Sequence, residues 1–187
     1  TSRGVGGGSQ VAYIDHGDVS QMLQDFIVLL TQSAGCTLRE LMEARDLLEV
    51  PAARLAARRR SDEELEQLRA TIPDSPDLRQ IFELNREFHH VLLRVADNRL
   101  LTIVTEPMFY VMQTRFLSHQ ATMAMWQQIR TDHAAILAAV EAGDEEQAGA
   151  EMAEHLVRLR ATYEAYGSEG GTEPDGDPKP AMARAID

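Results

Sequence analysis

From residue 18 onward, apolar positions in this chain recur at intervals of three and four, the spacing that lines one face of an α-helix. Val19, Met22, Leu23, Phe26, Ile27 and Leu30 form the first such stripe, with Asp18 placed to cap it. Gly35 ends that region. Thr37 with Glu40 makes a capping box, so a second helix opens at Leu38. Pro51 is expected to kink or break that helix after Glu49, with helix resuming over 52–60. Ser61 with Glu64 is a second capping box, leading into Leu65 and Leu68. Pro73-Asp74-Ser75-Pro76 is a breaker, and Ser75 and Pro76 suit the start of a long helix reaching about Ala96. Asp97 and Asn98 interrupt it, and the next helix spans Leu100 to about Leu117. A loop near 118–121 precedes a helix ending at Gly143. Asp144 with Gln147 starts the last one, which reaches Tyr166.

No run with strand-like alternation follows residue 17. The expected fold is therefore all-α: an antiparallel bundle of six to seven helices forming one domain over residues 18–166. Residues 1–17, with Gly4, Gly6, Gly7 and Gly8, read as irregular or extended. From Gly167 the composition turns to Gly, Pro, Asp and Glu, so 167–187 reads as a disordered tail.

Composition narrows the partners. The net charge is -12, and of the 18 basic residues only Lys179 is a lysine. Such a surface repels a phosphate backbone, so this segment alone is not expected to bind DNA. The single cysteine, Cys36, excludes an intrachain disulfide and suits a reducing cytoplasm. No segment has the length of apolar residues a membrane span needs, and residues 1–10 lack a signal-peptide core. The first residue is not Met, which reads as a fragment or a processed product.

Three of the six histidines fall on apolar stripes of three different helices. His89 shares a face with Asn85, Leu92 and Ala96. His133 lies with Ile129, Ile136 and Val140, and His155 with Ala148, Met152 and Leu159. A lone inward histidine is ordinarily a satisfied core residue. Three on neighbouring helices need partners in a dry interior, and a divalent cation is one. Asn85, one turn before His89, can add its side-chain oxygen. His90 points away from His89 and reads as a rim residue, while His16 and His119 read as loop residues. Arg58-Arg59-Arg60 reads as a solvated helix end. Met108, Met112, Met123 and Met125 suit either core packing or an adaptable pocket. Arg45, between Leu41 and Leu48 on an apolar face, needs an anion: a protein carboxylate or a bound acid.

The run from Leu38 through Arg45, Glu49 and Ala56 resembles the opening of the FCD domain, the C-terminal domain of the FadR subfamily of GntR transcription regulators. Leu84-Asn85-Arg86-Glu87-Phe88-His89 with Val95-Ala96-Asp97-Asn98 is similar to that family's second signature. Asp132-His133-Ala134-Ala135-Ile136, Glu141-Ala142-Gly143-Asp144 and Met152-Ala153-Glu154-His155-Leu156 follow in order. The resemblance covers roughly residues 20–165. It implies that three histidines and an Asp hold a divalent metal. Carried over, the ligands are His89, His133 and His155, with Asn85 standing where the family has Asp. A neutral amide is a weaker ligand than a carboxylate, so Zn or Ni is favoured over Mn. The resemblance also implies a small organic acid as effector, with Arg45 the candidate to receive it, and a homodimer that reaches operator DNA through an N-terminal winged helix-turn-helix. Residues 3–11 resemble the end of the wing, which makes 1–17 its remnant and linker.

Three functions stay open on these residues. One is the effector-binding and dimerisation domain of a repressor, without catalysis. A second is a three-histidine metalloenzyme of hydrolase type, for which Glu87 and Glu154 adjoin the ligand positions without facing them. A third is a ligand-free helical dimerisation module.

Overall fold

A computed structural model describes residues 16–33, 36–74, 77, 80–112 and 122–170. Among them the fold is all-α, with seven helices: α1 His16–Gln32, α2 Leu38–Arg59, α3 Asp62–Ala70, α4 Ile81–Val95, α5 Arg99–Val111, α6 Met123–Ala142 and α7 Glu145–Gly170. No helix among them is long and apolar enough to cross a membrane.

Both capping boxes form. The Thr37 and Ser61 side chains accept from the backbone N–H of Glu40 and Glu64, whose carboxylates reach back to the cap N–H at 2.8 Å in each case. Asp144 accepts from the N–H of Gln147 at 3.0 Å, and Asn98 caps α5. Some boundaries differ from expectation, and others lie outside the described residues. α1 begins at His16, ahead of the expected Asp18 cap, so His16 is helical and not in a loop. α4 begins at Ile81, whereas the expected start at Ser75 and Pro76 lies outside the described residues. α7 runs past Tyr166 to Gly170. α5 is described to Val111, and the loop expected near 118–121, His119 included, lies outside the described residues, as do residues 1–15 and the tail over 171–187.

The expected break at Pro51 does not occur, and α2 is continuous through it. Pro51 is exposed, and the carbonyl it deprives of a donor belongs to Leu47, which is 74% exposed. Water can serve that carbonyl. The opposite face, Ala52, Ala53, Ala56 and Ala57, is fully buried and holds the helix against its neighbours on both sides of the proline. α2 is the central element, packed against α4, α5, α6 and α7, while α1 lies chiefly on α5. Trp126, Phe88, Ile81, Leu92, Ile136 and Met152 fill the core between these helices. Of the methionine stretch, Met112 and Met125 are buried in that core, with Met108 packed against it.

The arginine cluster at the end of α2 is not simply solvated. Arg59 Nη1 donates to the carbonyls of Ala96 (2.6 Å) and Asp97 (3.0 Å), just beyond α4. Arg60 Nη2 donates to the Glu141 carbonyl in the last turn of α6 (3.0 Å). Each guanidinium meets the negative end of a helix dipole. At the α6 terminus Gly143 adopts φ +72°, and the N–H groups of Gly143 and Asp144 return to Val140 and Ala139, both at 3.0 Å. A Cβ on Gly143 would lie 2.9 Å from Arg60 Nη2. Gly143→Ala is therefore expected to lower unfolding stability by about 1–2 kcal/mol, from left-handed strain alone. Urea denaturation checks this, and an unchanged midpoint would refute the account of this corner.

Candidate metal centre

The three helical stripes bring His89 from α4, His133 from α6 and His155 from α7 to one place. All three are fully buried, and one ligating atom of each lies within 4.8 Å of the others. Nε2 of His89 and Nε2 of His155 face each other at 3.2 Å. The opposite nitrogens meet carboxylates: His89 Nδ1 lies 2.6 Å from Glu49 Oε2, and His155 Nδ1 lies 3.2 Å from Asp132 Oδ2. The His89 ring is turned off the line of a linear hydrogen bond to Glu49, yet two such atoms at 2.6 Å require a proton between them. With both Nδ1 atoms protonated toward carboxylates, two Nε2 lone pairs are left pointing at one another. His133 stacks on Phe88 with ring centres 3.7 Å apart, and neither of its nitrogens has a hydrogen-bond partner.

Asn85, one turn before His89, is buried. It hydrogen-bonds Tyr163, while its Oδ1 is enclosed without a partner. The position is thus occupied by a ligand-capable oxygen with nothing to bond. Arg45 is buried too, and its Nε donates to Glu49 Oε1 at 2.5 Å. The anion it needs is therefore a protein carboxylate on the next turn. Its guanidinium carbon lies 4.9 Å from the centre of the Phe109 ring, and Nη1 has Met42 Sδ at 3.9 Å.

Sequence reasoning missed Glu49 and Asp132, although each carried a signal. Glu49 follows Arg45 by four, one turn along the same buried face, and Asp132 follows Gln128 by four, which donates to it at 2.9 Å. Arg158 also binds Asp132, at 3.0 Å, and pairs with Glu154 at 2.9 Å. His90 sits at the rim, paired with Glu106 at 2.7 Å. Glu154 is exposed and Glu87 half-buried, so neither supplies a free base beside the histidines.

Burial dominates the electrostatics. It pushes the imidazole of His89 down to about 4 despite the pull of Glu49. It lowers His133 well below the ordinary range, and lowers His155 against the opposing effect of Asp132. All three are neutral near pH 7, the state a metal ligand requires. Burial alone would raise Glu49, but Arg45 and His89 outweigh it and hold the carboxyl at about 2. Burial likewise opposes ionisation of Asp132, yet His155 and Arg158 keep its carboxyl below the usual value. The three histidines could therefore hold a divalent ion: their ligating atoms lie within 4.8 Å of one another, and His133 has no partner at either nitrogen.

The signs give a pH profile for the metal-free chain. Each histidine titrates lower when folded than its ordinary 6.5, so the unfolded chain takes up protons first. Stability is then complete above about 6.5 and is lost as pH falls below it, for His89 down to about 4, by up to about 1.4 kcal/mol per pH unit for each group. Glu49 adds a second loss, from its ordinary 4.5 down to about 2. Urea midpoints measured between pH 7.5 and 4.5 in chelator should fall steadily, and a flat profile would contradict neutral buried imidazoles.

Residues 40–158 match the model of the FCD domain. The chain is 26% identical over 176 residues to the HTH-type transcriptional regulator LutR of Bacillus subtilis (strain 168), covering 88% of this chain and 77% of that protein. In structure it is similar to E. coli McbR/YncC, with a TM-score of 0.53 at 16% identity, over 81% of this chain and 96% of that one. The sequence relative is a transcriptional regulator. With the family model spanning more than half its length and the seven-helix fold in place, the chain belongs to the FCD domain family, the effector-binding half of GntR-type regulators.

Proposed function

We propose that this chain is the effector-binding and dimerisation domain of a DNA-binding repressor, responding to a small organic acid beside a divalent metal held by His89, His133, His155 and Asn85. The observation that carries the metal is the convergence of three buried imidazoles, with Nε2 of His89 and Nε2 of His155 3.2 Å apart and the Nδ1 atom of each beside a carboxylate. Zn or Ni suits three imidazoles and an amide. When bound, such an ion supplies a Lewis-acidic docking point for a carboxylate. Arg45 is the residue we assign to the acid's remaining charge. In support, it is buried beside this cluster, and its Nη1 has the weakly accepting Met42 Sδ at 3.9 Å. Operator DNA is read by a winged helix-turn-helix, and residues 1–15, ahead of α1, are assigned to the end of its wing and the linker. The acidic charge of the chain suits a role away from the phosphates. Effector binding favours one arrangement of the helices over another, and that difference biases the DNA-reading heads.

Pairing of two copies is supported by α1, which exposes Met22 (65%), Phe26 (57%) and Leu29 (62%) at spacings of four and three. Phe26→Glu should yield a monomer in sedimentation, and a monomeric parent would reject this face.

Calorimetry on chelator-stripped protein tests the metal. One equivalent of Zn²⁺ should bind and raise stability by about 2.7 kcal/mol at a hundredfold excess over Kd, and His133→Ala should abolish both effects. A panel of small mono- and dicarboxylates should then bind the zinc-loaded protein more tightly than the stripped one. No zinc uptake would sink the metal, and acid binding indifferent to chelator would sink its docking role. Ester hydrolysis lost in His133→Ala would instead favour the hydrolase reading.

A further inference from the structure

The ligand positions carry no negative charge of their own: three neutral imidazoles and an amide. Among the described residues only two carboxylates are buried, Glu49 at 1% and Asp132 at 4% exposed. They come from α2 and α6, and each meets the Nδ1 side of a different histidine, His89 at 2.6 Å and His155 at 3.2 Å. Each is anchored on its far side by an arginine, Arg45 at 2.5 Å and Arg158 at 3.0 Å. The result is two chains of guanidinium, carboxylate and imidazole, whose Nε2 ends converge. His133 has no such support and is held by its stack on Phe88.

We infer that Glu49 and Asp132 are positioning residues that supply, one side chain removed from the metal, the negative charge that Asn85 does not. The inference rests on the metal site proposed above. A carboxylate on Nδ1 fixes the tautomer, so that Nε2 is the lone pair presented to the cation. It also orients the ring and makes that nitrogen a stronger donor. The alternative is that both acids serve only as counter-ions for Arg45 and Arg158.

Glu49→Gln and Asp132→Asn keep the shape and remove the charge. Each should weaken Zn²⁺ binding on the order of 10- to 100-fold, measured by competition with a chromophoric chelator. Glu49→Gln should have the larger effect, because its contact is shorter and its surroundings are wholly buried. Bound Co²⁺ should show a shifted visible spectrum in each variant, which a merely structural counter-ion would not cause. If Glu49→Gln fails to fold because Arg45 loses its partner, Asp132→Asn carries the test, since Arg158 reaches solvent and keeps Glu154. Zn²⁺ affinity and Co²⁺ spectrum both unchanged in a folded variant would overturn the inference while leaving the site intact. A parent protein that takes up no Zn²⁺ would overturn the site itself, and the positioning role with it.

Discussion

A guanidinium, a carboxylate and an imidazole shut away from water must satisfy one another, and the Arg45–Glu49–His89 chain does this at the centre of the bundle. Removing one member of such a chain strands an uncompensated charge, so the three constrain each other's geometry far more than three apolar residues would. Arg45 and Glu49 lie one turn apart on α2, and His89 comes from α4. The polar chain therefore fixes how α2 and α4 are rotated about their own axes. Apolar packing tolerates exchange among residues of similar volume; a buried ion pair with a third partner does not.

Around this chain the interior is aromatic and dry. Phe109 lies beneath the Arg45 guanidinium, Phe88 stacks on His133, and Tyr163 touches both Arg45 and Asn85. These rings exclude water, and the same exclusion keeps the imidazoles neutral. Unpaired nitrogens on His133 and an unpaired oxygen on Asn85 are costly in such a place. A divalent ion, which the three histidines could hold, would relieve that cost.

Much of this was legible in the chain. The inward histidines could be read because each shares its face with aliphatic residues at helical spacing, and the capping boxes because their chemistry is local. Glu49 was harder. α2 carries several carboxylates, most of them solvated, and only the turn shared with Arg45 distinguishes this one. Pro51 misled for the opposite reason. The rule for proline in a helix is local, while continuity of α2 is decided by the alanine face packed on the far side. Arg59 and Arg60 could not be assigned beforehand, because their acceptors are backbone carbonyls 37 and 81 residues away.

Those two arginines make α2 more than a central strut. Consecutive residues at its end seize the terminal carbonyls of α4 and α6, the helices that bear His89 and His133. Axial slippage of either histidine helix past α2 would strip a charged donor from a helix terminus. The register of the three helices is tied together at this corner. α1 leans chiefly on α5, and its Ile27 and Val28 reach the same core.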